Sequence, residues 1–186
     1  MDRDLVERAQ KGDLAAFDAL TVSTYPRLYR LALGILREAD QAEDATQGAL
    51  IEVWRYLPRL RDPQAYEAWS YRLLVRSCMR EARRRTRWLP EIALDGDEPR
   101  APDDYGPVLD RDQLERGFRR LSVEHRAVIV MRYLLDMSHE DTAAALGIAP
   151  GTVGSRLSRA MEALRAAIEA DERAAPALRQ ATETDA

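Results

Sequence analysis

Near the C-terminal end of the sequence, hydroxyl and arginine side chains fall at the spacing of one helix face. The face consists of Thr152, Ser155, Arg156 and Arg159, with Ser158 as a further candidate. Arginine pairs with guanine O6 and N7, and hydroxyl groups bond to base edges and phosphates. These residue types therefore predict a helix that binds DNA in a groove. The alternative is a helical hairpin with a solvated arginine face.

A helix-turn-helix is predicted to position this face. Ser138, followed three residues later by Asp141, is an N-cap signature for a first helix. Gly147 stands where a helix end needs a left-handed residue, and Pro150 can begin the second helix. An apolar stripe predicts the buried side of that second helix and consists of Val153, Leu157, Ala160, Leu164 and Ile168.

A second basic surface is predicted on a long helix from about Gln64 to Arg87. Residues 72–87 hold seven arginines against Glu81, a balance of +6. Arginines along one side of a helix suit a phosphate backbone, whose contacts position a protein without reading sequence. The candidates for this role are Arg72, Arg76, Arg80, Arg83, Arg84 and Arg87.

Three aromatic residues, Tyr66, Trp69 and Tyr71, lie at the start of the same helix. Strand opening needs rings or pockets that hold unstacked bases. Tyr66 and Trp69 are therefore candidates for base contact. A place in the hydrophobic core is an equally good interpretation of Trp69.

Composition excludes several classes of protein. The chain has 186 residues, 46% of them hydrophobic and 32% charged, and no convincing strand alternation, so an all-α fold is predicted. One cysteine and two histidines give neither a disulfide framework nor a metal cluster. No catalytic set, phosphate loop or cofactor motif is visible, so we do not expect an enzyme. A polar start and the lack of a long apolar run predict a cytoplasmic protein without membrane insertion.

The charge pattern divides the chain into two small helical domains joined by an acidic flexible linker. Residues 91–112 hold eight acids against two arginines, a balance of −6, and four prolines interrupt residues 90–107. The predicted boundaries are 1–89, 90–108 for the linker, 109–170, and 171–186 for a frayed tail. Each half has its own apolar stripes, so each is expected to fold by itself.

Within the first domain, Pro26 is expected to kink a helix, and Asp40 with Glu43 is expected to cap the next helix.

Four segments, in this order, resemble the bacterial RNA polymerase sigma factors of the extracytoplasmic-function (ECF) group. They are DQAEDATQGALIEVWRYL (40–57), YEAWSYRLLVRSCMREARRR (66–85), LERGFRRLSVEHRAVIVMRYLLDMSHEDTAAALG (114–147) and GTVGSRLSRAMEALR (151–165). The resemblance implies a promoter-specificity subunit that works bound to core RNA polymerase. The first domain would bind the minus-ten element and help to open the strands, and the second would bind the minus-thirty-five element.

The resemblance also implies partners and further site residues. Asp44, Gln47 and Ile51 would contact the clamp of the largest polymerase subunit, and the second domain would contact the flap of the second-largest subunit. The loop Pro58–Pro63 would shape a pocket for a flipped base, with Arg59 and Arg61 reaching the strand. The linker would thread toward the active centre, although a solvated tether has the same composition. An anti-sigma factor is a further expected partner.

Two glycines depart from the family pattern. Gly48 replaces a usual acidic residue, which predicts weaker docking, and Gly154 replaces a usual basic residue, which removes one DNA contact. Two other functions stay open. A stand-alone helix-turn-helix regulator would bind DNA without polymerase, and a sigma mimic that titrates an anti-sigma factor would have lost its basic faces.

Overall fold

The structure is a computed structural model that describes residues 3–88 and 108–184, with side chains described for residues 3–85 and 113–170. All regular elements in these ranges are helical, as predicted. The α-helices are α1 (Arg3–Gln10), α2 (Leu14–Leu36), α3 (Ala39–Tyr56), α4 (Tyr66–Trp88), α5 (Val108–Arg119), α6 (Val123–Ile129), α7 (His139–Leu146) and α8 (Pro150–Thr184). A π-helical turn, Val130–Leu134, follows α6, and two 3-10 turns lie between α3 and α4. The predicted acidic linker lies, apart from its last residue, outside the described residues.

Local chemistry accounts for the helix boundaries of the N-terminal half (residues 3–88). Gly12 turns the chain at φ +89°, and the Asp13 carboxylate caps α2 by accepting from the Ala16 amide at 3.0 Å. Helix α2 then runs through Pro26 without a break. The predicted Asp40–Glu43 cap is wrong, because α3 begins at Ala39 after Glu38, which makes no side-chain capping bond.

Short helical turns link α3 to α4. Leu57–Arg59 and Pro63–Ala65 each form a 3-10 turn, and the Asp62 carboxylate accepts from the Gln64 amide at 2.9 Å. A small hydrophobic cluster lies under this connection and contains Val6, Ala9, Ala16, Leu20, Val53, Leu57, Tyr66 and Leu73. The loop predicted to bind a flipped nucleotide base therefore rests on packed side chains from α1, α2, α3 and α4.

The helix-turn-helix of the C-terminal half (residues 108–184) forms as predicted. Ser138 accepts from the Asp141 amide at 2.9 Å, Gly147 ends α7 in the left-handed region at φ +67°, and Pro150 begins α8. Ser122 caps α6 in the same way. Helix α8 continues to Thr184, so most of the tail that was predicted to be frayed, residues 171–186, is helical instead.

The two halves share one hydrophobic cluster. It joins residues of α2, α3 and α4, such as Ile35 and Cys78, to residues of α6, α7 and α8, such as Val128, Ala143 and Val153. Burial of apolar surface between the halves stabilises this arrangement. The domain boundaries themselves stay a prediction.

Arg126 in α6 ties the halves together through backbone carbonyls. Its guanidinium donates to Ile35 O at 2.6 Å and to Leu36 O at 3.5 Å, at the C-terminal end of α2. It also donates to Leu121 O at 2.5 Å and Arg119 O at 3.3 Å, in the turn before α6. The helix end leaves carbonyls without intrahelical partners, and the cation satisfies them.

Arg126 is only 6% exposed. Burial, with the nearby Arg37 cation, lowers the pKa of its guanidinium to about 10, so the group stays charged at neutral pH. Its hydrogen bonds go to four backbone carbonyls rather than to a carboxylate. These four bonds offset the free-energy cost of removing the charged group from water.

Replacing Arg126 with methionine should lower the free energy of unfolding by about 2–4 kcal/mol. The substitution leaves buried carbonyls without a donor, at a cost of about 1–3 kcal/mol for each unsatisfied group. Removal of the desolvated cation offsets part of this cost, since a buried charge is itself unfavourable by several kcal/mol. Urea unfolding followed by circular dichroism measures the change.

The matched control for this test is Arg55→Met, on the exposed side of α3. It should change stability by no more than about 0.5 kcal/mol. Equal changes in the free energy of unfolding for the two substitutions would show that the Arg126 hydrogen bonds do not stabilise the fold.

Candidate nucleic-acid interface

The start of α8 presents the predicted recognition face to solvent. Thr152, Ser155, Ser158 and Arg159 are exposed, and Arg156 is half-buried. Val153 and Ala160, on the opposite side, are fully buried. The buried stripe thus fixes the rotation of α8 and leaves the polar face free to enter a groove.

Two hydroxyl groups on this face bond within the helix. Ser155 Oγ donates to Thr152 O at 3.1 Å, and Ser158 Oγ donates to Glu162 Oε1 at 3.3 Å. Both bonds are exposed, so a nucleic acid can replace them at little cost. Gly154 lies on the same surface, and no atom stands within 4 Å of the position that a Cβ would occupy. The missing basic residue at Gly154 is therefore not imposed by packing.

The arginines of α4 divide between two neighbours. Arg72 Nη1 lies 2.6 Å from Asp141 Oδ1, and Arg76 Nη2 donates to Ala144 O at 2.9 Å. Both partners are on α7, the first helix of the helix-turn-helix. Two of the predicted phosphate contacts are thus occupied by the other half of the protein.

Further along α4, the arginines pair with acids of α3. Arg80 Nη2 lies 2.7 Å from Glu52 Oε1, and Arg84 Nη2 lies 3.8 Å from Asp44 Oδ2. Exposed pairs of this kind contribute about 0–1 kcal/mol, so a phosphate can compete for the guanidinium. Arg83 is exposed as predicted. Arg87 belongs to α4, but its side chain is outside the described residues.

The aromatic candidates differ in exposure. Tyr66 is 1% exposed, its hydroxyl lies 3.5 Å from Thr24 Oγ1, and burial raises the pKa of that hydroxyl. A ring so deeply packed cannot stack on a base in this arrangement, so Tyr66 supports the α4 start from within the core. Trp69 is half-buried and packs against Tyr66 with ring centroids 6.1 Å apart.

The loop between α3 and α4 exposes both predicted arginines. Arg59 lies over the Tyr56 ring, 5.8 Å from its centroid, and Arg61 is exposed. Gln10, which the sequence did not single out, reaches the loop from α1 and bonds to two of its carbonyls. Its partners are 47 and 50 residues away in the chain, so no local pattern could have revealed the contact.

The predicted polymerase-binding residues of α3 share an exposed face. Asp44 and Gln47 are exposed, and Ile51 is 60% exposed. Trp54 continues the same spacing, is 46% exposed, and packs edge-on against Phe17 with centroids 4.6 Å apart. Large exposed apolar side chains beside polar ones are typical of a protein-binding surface. The three-residue step from Ile51 could have identified Trp54.

Gly48 is explained by helix packing. A Cβ at this position would lie 2.8 Å from Ser77 Oγ of α4, and Ser77 is itself buried. The glycine therefore faces α4 and permits the close approach of the two helices.

No helix within residues 3–88 and 108–184 has the length and hydrophobicity needed to cross a bilayer. Among the side chains described, those of residues 3–85 and 113–170, no group of three or more histidine, cysteine or acidic residues could hold a metal ion.

Comparison with known proteins identifies the two halves. Residues 20–88 match the family described as Sigma-70 region 2, and residues 111–164 match Sigma-70, region 4. The ECF sigma factor SigM of Mycobacterium tuberculosis is 34% identical over 167 residues, covering 86% of this chain and 80% of SigM. The sigma-H factor of Pseudomonas aeruginosa is 28% identical over 193 residues, covering 97% of each chain.

Two solved structures share the fold over most of the chain. The sigma factor RpoE of Bartonella quintana, in complex with the anti-sigma factor NepR, is 27% identical with a TM-score of 0.66, covering 83% of this chain and 98% of that one. CnrH, in complex with the cytosolic domain of CnrY, is 25% identical with a TM-score of 0.59, covering 91% and 98%.

The matches to both regions and to whole-length relatives show that this chain belongs to the ECF sigma factors of the sigma-70 family. The resemblance found in four sequence segments is therefore confirmed. Sigma factors are transcription initiation factors, and this chain acts with core RNA polymerase in promoter-specific initiation.

The close approach at Gly48 gives a testable packing prediction. Gly48→Ala should destabilise the protein by about 1 kcal/mol, because overpacking against Ser77 outweighs the gain of about 0.5–1 kcal/mol in helix propensity. In a Ser77→Ala background, the same substitution should stabilise by about 0.5–1 kcal/mol.

A double-mutant cycle of unfolding free energies measures this coupling. An identical effect of Gly48→Ala in both backgrounds would show that the Ser77 hydroxyl does not impose the glycine.

Proposed function

We propose that three separate surfaces of this chain bind different partners during transcription initiation. The exposed α3 face with Asp44, Gln47 and Ile51 binds the clamp of the largest polymerase subunit. The basic side of α4 and the loop Pro58–Pro63 bind the minus-ten region and the opened strand. The polar face at the start of α8 binds the minus-thirty-five element, while its half of the protein docks on the flap of the second-largest subunit.

The main support for this assignment of three surfaces is that α8 exposes one face while its opposite side is packed in the core. Thr152, Ser155 and Arg159 are exposed while Val153 and Ala160 are 0% exposed. A recognition helix needs this combination, because base contacts require a rigid orientation. The retained basic faces also favour a DNA-binding sigma factor over a mimic that only titrates an anti-sigma factor.

The contact between the halves sets a condition for DNA binding. Arg72 and Arg76 bond to α7, so part of each guanidinium is already engaged and α7 packs against the side of α4 that a phosphate backbone would approach. We therefore place the halves apart in the transcribing complex, as two domains connected through residues 90–108. The arrangement described above is then the form of the chain before it binds polymerase and promoter.

An anti-sigma factor is the proposed regulatory partner. RpoE of Bartonella quintana and CnrH were each solved in a complex, the first with an anti-sigma factor and the second with the cytosolic domain of CnrY. The exposed Ile51 and Trp54 offer an apolar surface for such a protein. A partner bound there would compete with the polymerase clamp.

Dependence on core polymerase is the first test of the proposed function. Core enzyme plus this chain should give run-off transcripts from a subset of a genomic promoter library, and the chain alone should bind those promoters weakly. Absence of any transcript, together with tight binding of duplex sites by the chain alone, would favour the stand-alone regulator.

Positioning and reading of DNA should separate by mutation. Arg80→Ala and Arg84→Ala should each weaken open-complex formation on all promoters alike and lower the salt slope by about one, because a phosphate contact is lost. Arg72 and Arg76 are unsuitable for this test, since they also hold the halves together.

On α8, at least one of Arg156→Ala and Arg159→Ala should cost about 1–3 kcal/mol on the preferred upstream element, and much less on a promoter mutated there. Transcription on matched and mutated promoters at several salt concentrations makes the comparison. If all four variants behaved alike, with sequence preference unchanged, base reading would have to be assigned to Thr152, Ser155 and Ser158 instead.

A further inference from the structure

Gln10, the last residue of α1, bridges two carbonyls of the loop between α3 and α4. Its side-chain nitrogen Nε2 donates to Leu57 O at 3.1 Å and to Leu60 O at 2.7 Å. A primary amide has two hydrogens, so one side chain satisfies both acceptors. The two carbonyls flank Pro58 and Arg59, and the bridge therefore holds this turn at both ends.

The rest of α1 keeps Gln10 in a fixed position. Val6 and Ala9 are buried in the cluster that also contains Leu57 and Tyr66. After α1, Gly12 turns the chain, and Arg8 Nη2 bonds to Asp13 Oδ2 at 2.7 Å. The side chain of Gln10 is thus presented to the loop from a helix that is packed along one side and held at its C-terminal end.

Other hydrogen bonds hold the loop backbone at its two ends. The Leu60 amide donates to Leu57 O at 3.1 Å, and the Gln64 amide donates to the Asp62 carboxylate, which caps the Pro63–Ala65 turn. Pro58 has no amide hydrogen to donate. The Gln10 bridge therefore acts together with the burial of Leu57 and the packing of Leu60 to define the loop shape between Leu57 and Asp62.

This loop carries the exposed Arg59 and Arg61. We propose that Gln10 is a positioning residue for promoter recognition: it sets the loop geometry on which discrimination of one base of the minus-ten region depends. The inference rests on the proposed function of the loop Pro58–Pro63. Gln10 itself is half-buried with its amide hydrogens directed at carbonyls, so it acts through the loop and not by touching DNA.

Gln10→Met is the decisive substitution, because it keeps the length and volume of the side chain and removes both donors. Gln10→Glu is a second variant that keeps the shape but places a carboxylate against the two carbonyls. Lys11→Met is the matched control, one residue later and exposed. Thermal unfolding of each variant separates a folding defect from a loop defect.

The functional arm compares run-off transcription by core polymerase with each variant on a preferred promoter and on single-base variants of its minus-ten region. Gln10→Met should lower discrimination at one position by about tenfold, the equivalent of about 1.4 kcal/mol. Discrimination at the other positions and at the minus-thirty-five element should stay unchanged. Lys11→Met should discriminate between the bases of the minus-ten region as well as the wild-type protein does.

The structural arm needs no DNA. Trypsin cleaves after arginine, so the rate of nicking at Arg59 and Arg61 in the free full-length protein reports how firmly the loop is held. Nicking should be at least several times faster in Gln10→Met and Gln10→Glu than in Lys11→Met. A different outcome is that the wild-type protein shows no base preference in the minus-ten region while trypsin still cleaves the Gln10 variants faster. That result would contradict the function proposed for the loop but would confirm that Gln10 holds the loop in place.

Two results would overturn the positioning role. One is a Gln10→Met protein with unchanged nicking and unchanged base discrimination. The other is a variant whose melting temperature and activity fall on all promoters alike, with the discrimination ratio intact, which would mark Gln10 as a purely structural residue.

Discussion

The buried guanidinium of Arg126 is the interaction on which the described arrangement depends. A desolvated cation is unfavourable unless it is fully hydrogen-bonded, and here the acceptors come from both halves of the protein. Ile35 and Leu36 supply the end of α2, while Arg119 and Leu121 supply the turn that leads into the helix-turn-helix. Separation of the halves would therefore remove part of the coordination of a charged group as well as expose apolar surface.

This constraint holds α7 against α4, one of the two surfaces proposed to bind DNA. The helix-turn-helix is held against α4, and Asp141, whose backbone amide is bonded by the Ser138 cap, also accepts from Arg72. The same residues serve local folding, contact between the halves and, by proposal, access to the promoter. Because Asp141 competes with a phosphate for the Arg72 guanidinium, the shared interface would, on the proposed function, oppose DNA binding until polymerase supplies compensating contacts. The exposed α3 face, which lies outside that interface, remains available for the first encounter.

Local rules predicted a large part of the fold. The Ser138 cap, Gly147 and Pro150 are confirmed because each is decided by bonds or backbone angles within a few residues. The Asp40–Glu43 cap failed because Glu38 in extended backbone precedes the helix start. The continuation of α8 past Ala170 was not predicted, because the sequence there has no regular hydrophobic stripe.

Long-range contacts were beyond any sequence pattern. The Tyr66–Thr24 contact, the Gln10 bridge and the bonds from Arg126 to α2 join residues 42 or more positions apart in the chain. Only Tyr66 had been singled out in the sequence, as a candidate for base contact. The exposure of the α8 face followed from its apolar stripe, whereas the engagement of Arg72 and Arg76 with α7 depends on how the halves pack. The sequence thus located the candidate surfaces, and the tertiary structure determined which of them are accessible together.

The most direct test of this account is the distance between the halves. Spin labels at Ala19→Cys on α2 and Ala166→Cys on α8, both exposed, would report it by pulsed electron resonance. The native Cys78 should not interfere, because it is buried and burial raises the pKa of its thiol to about 12. We predict one narrow distance distribution in the free protein and a longer distance in the complex with core polymerase and promoter. A broad distribution in the free protein, or the same distance in both states, would contradict the account.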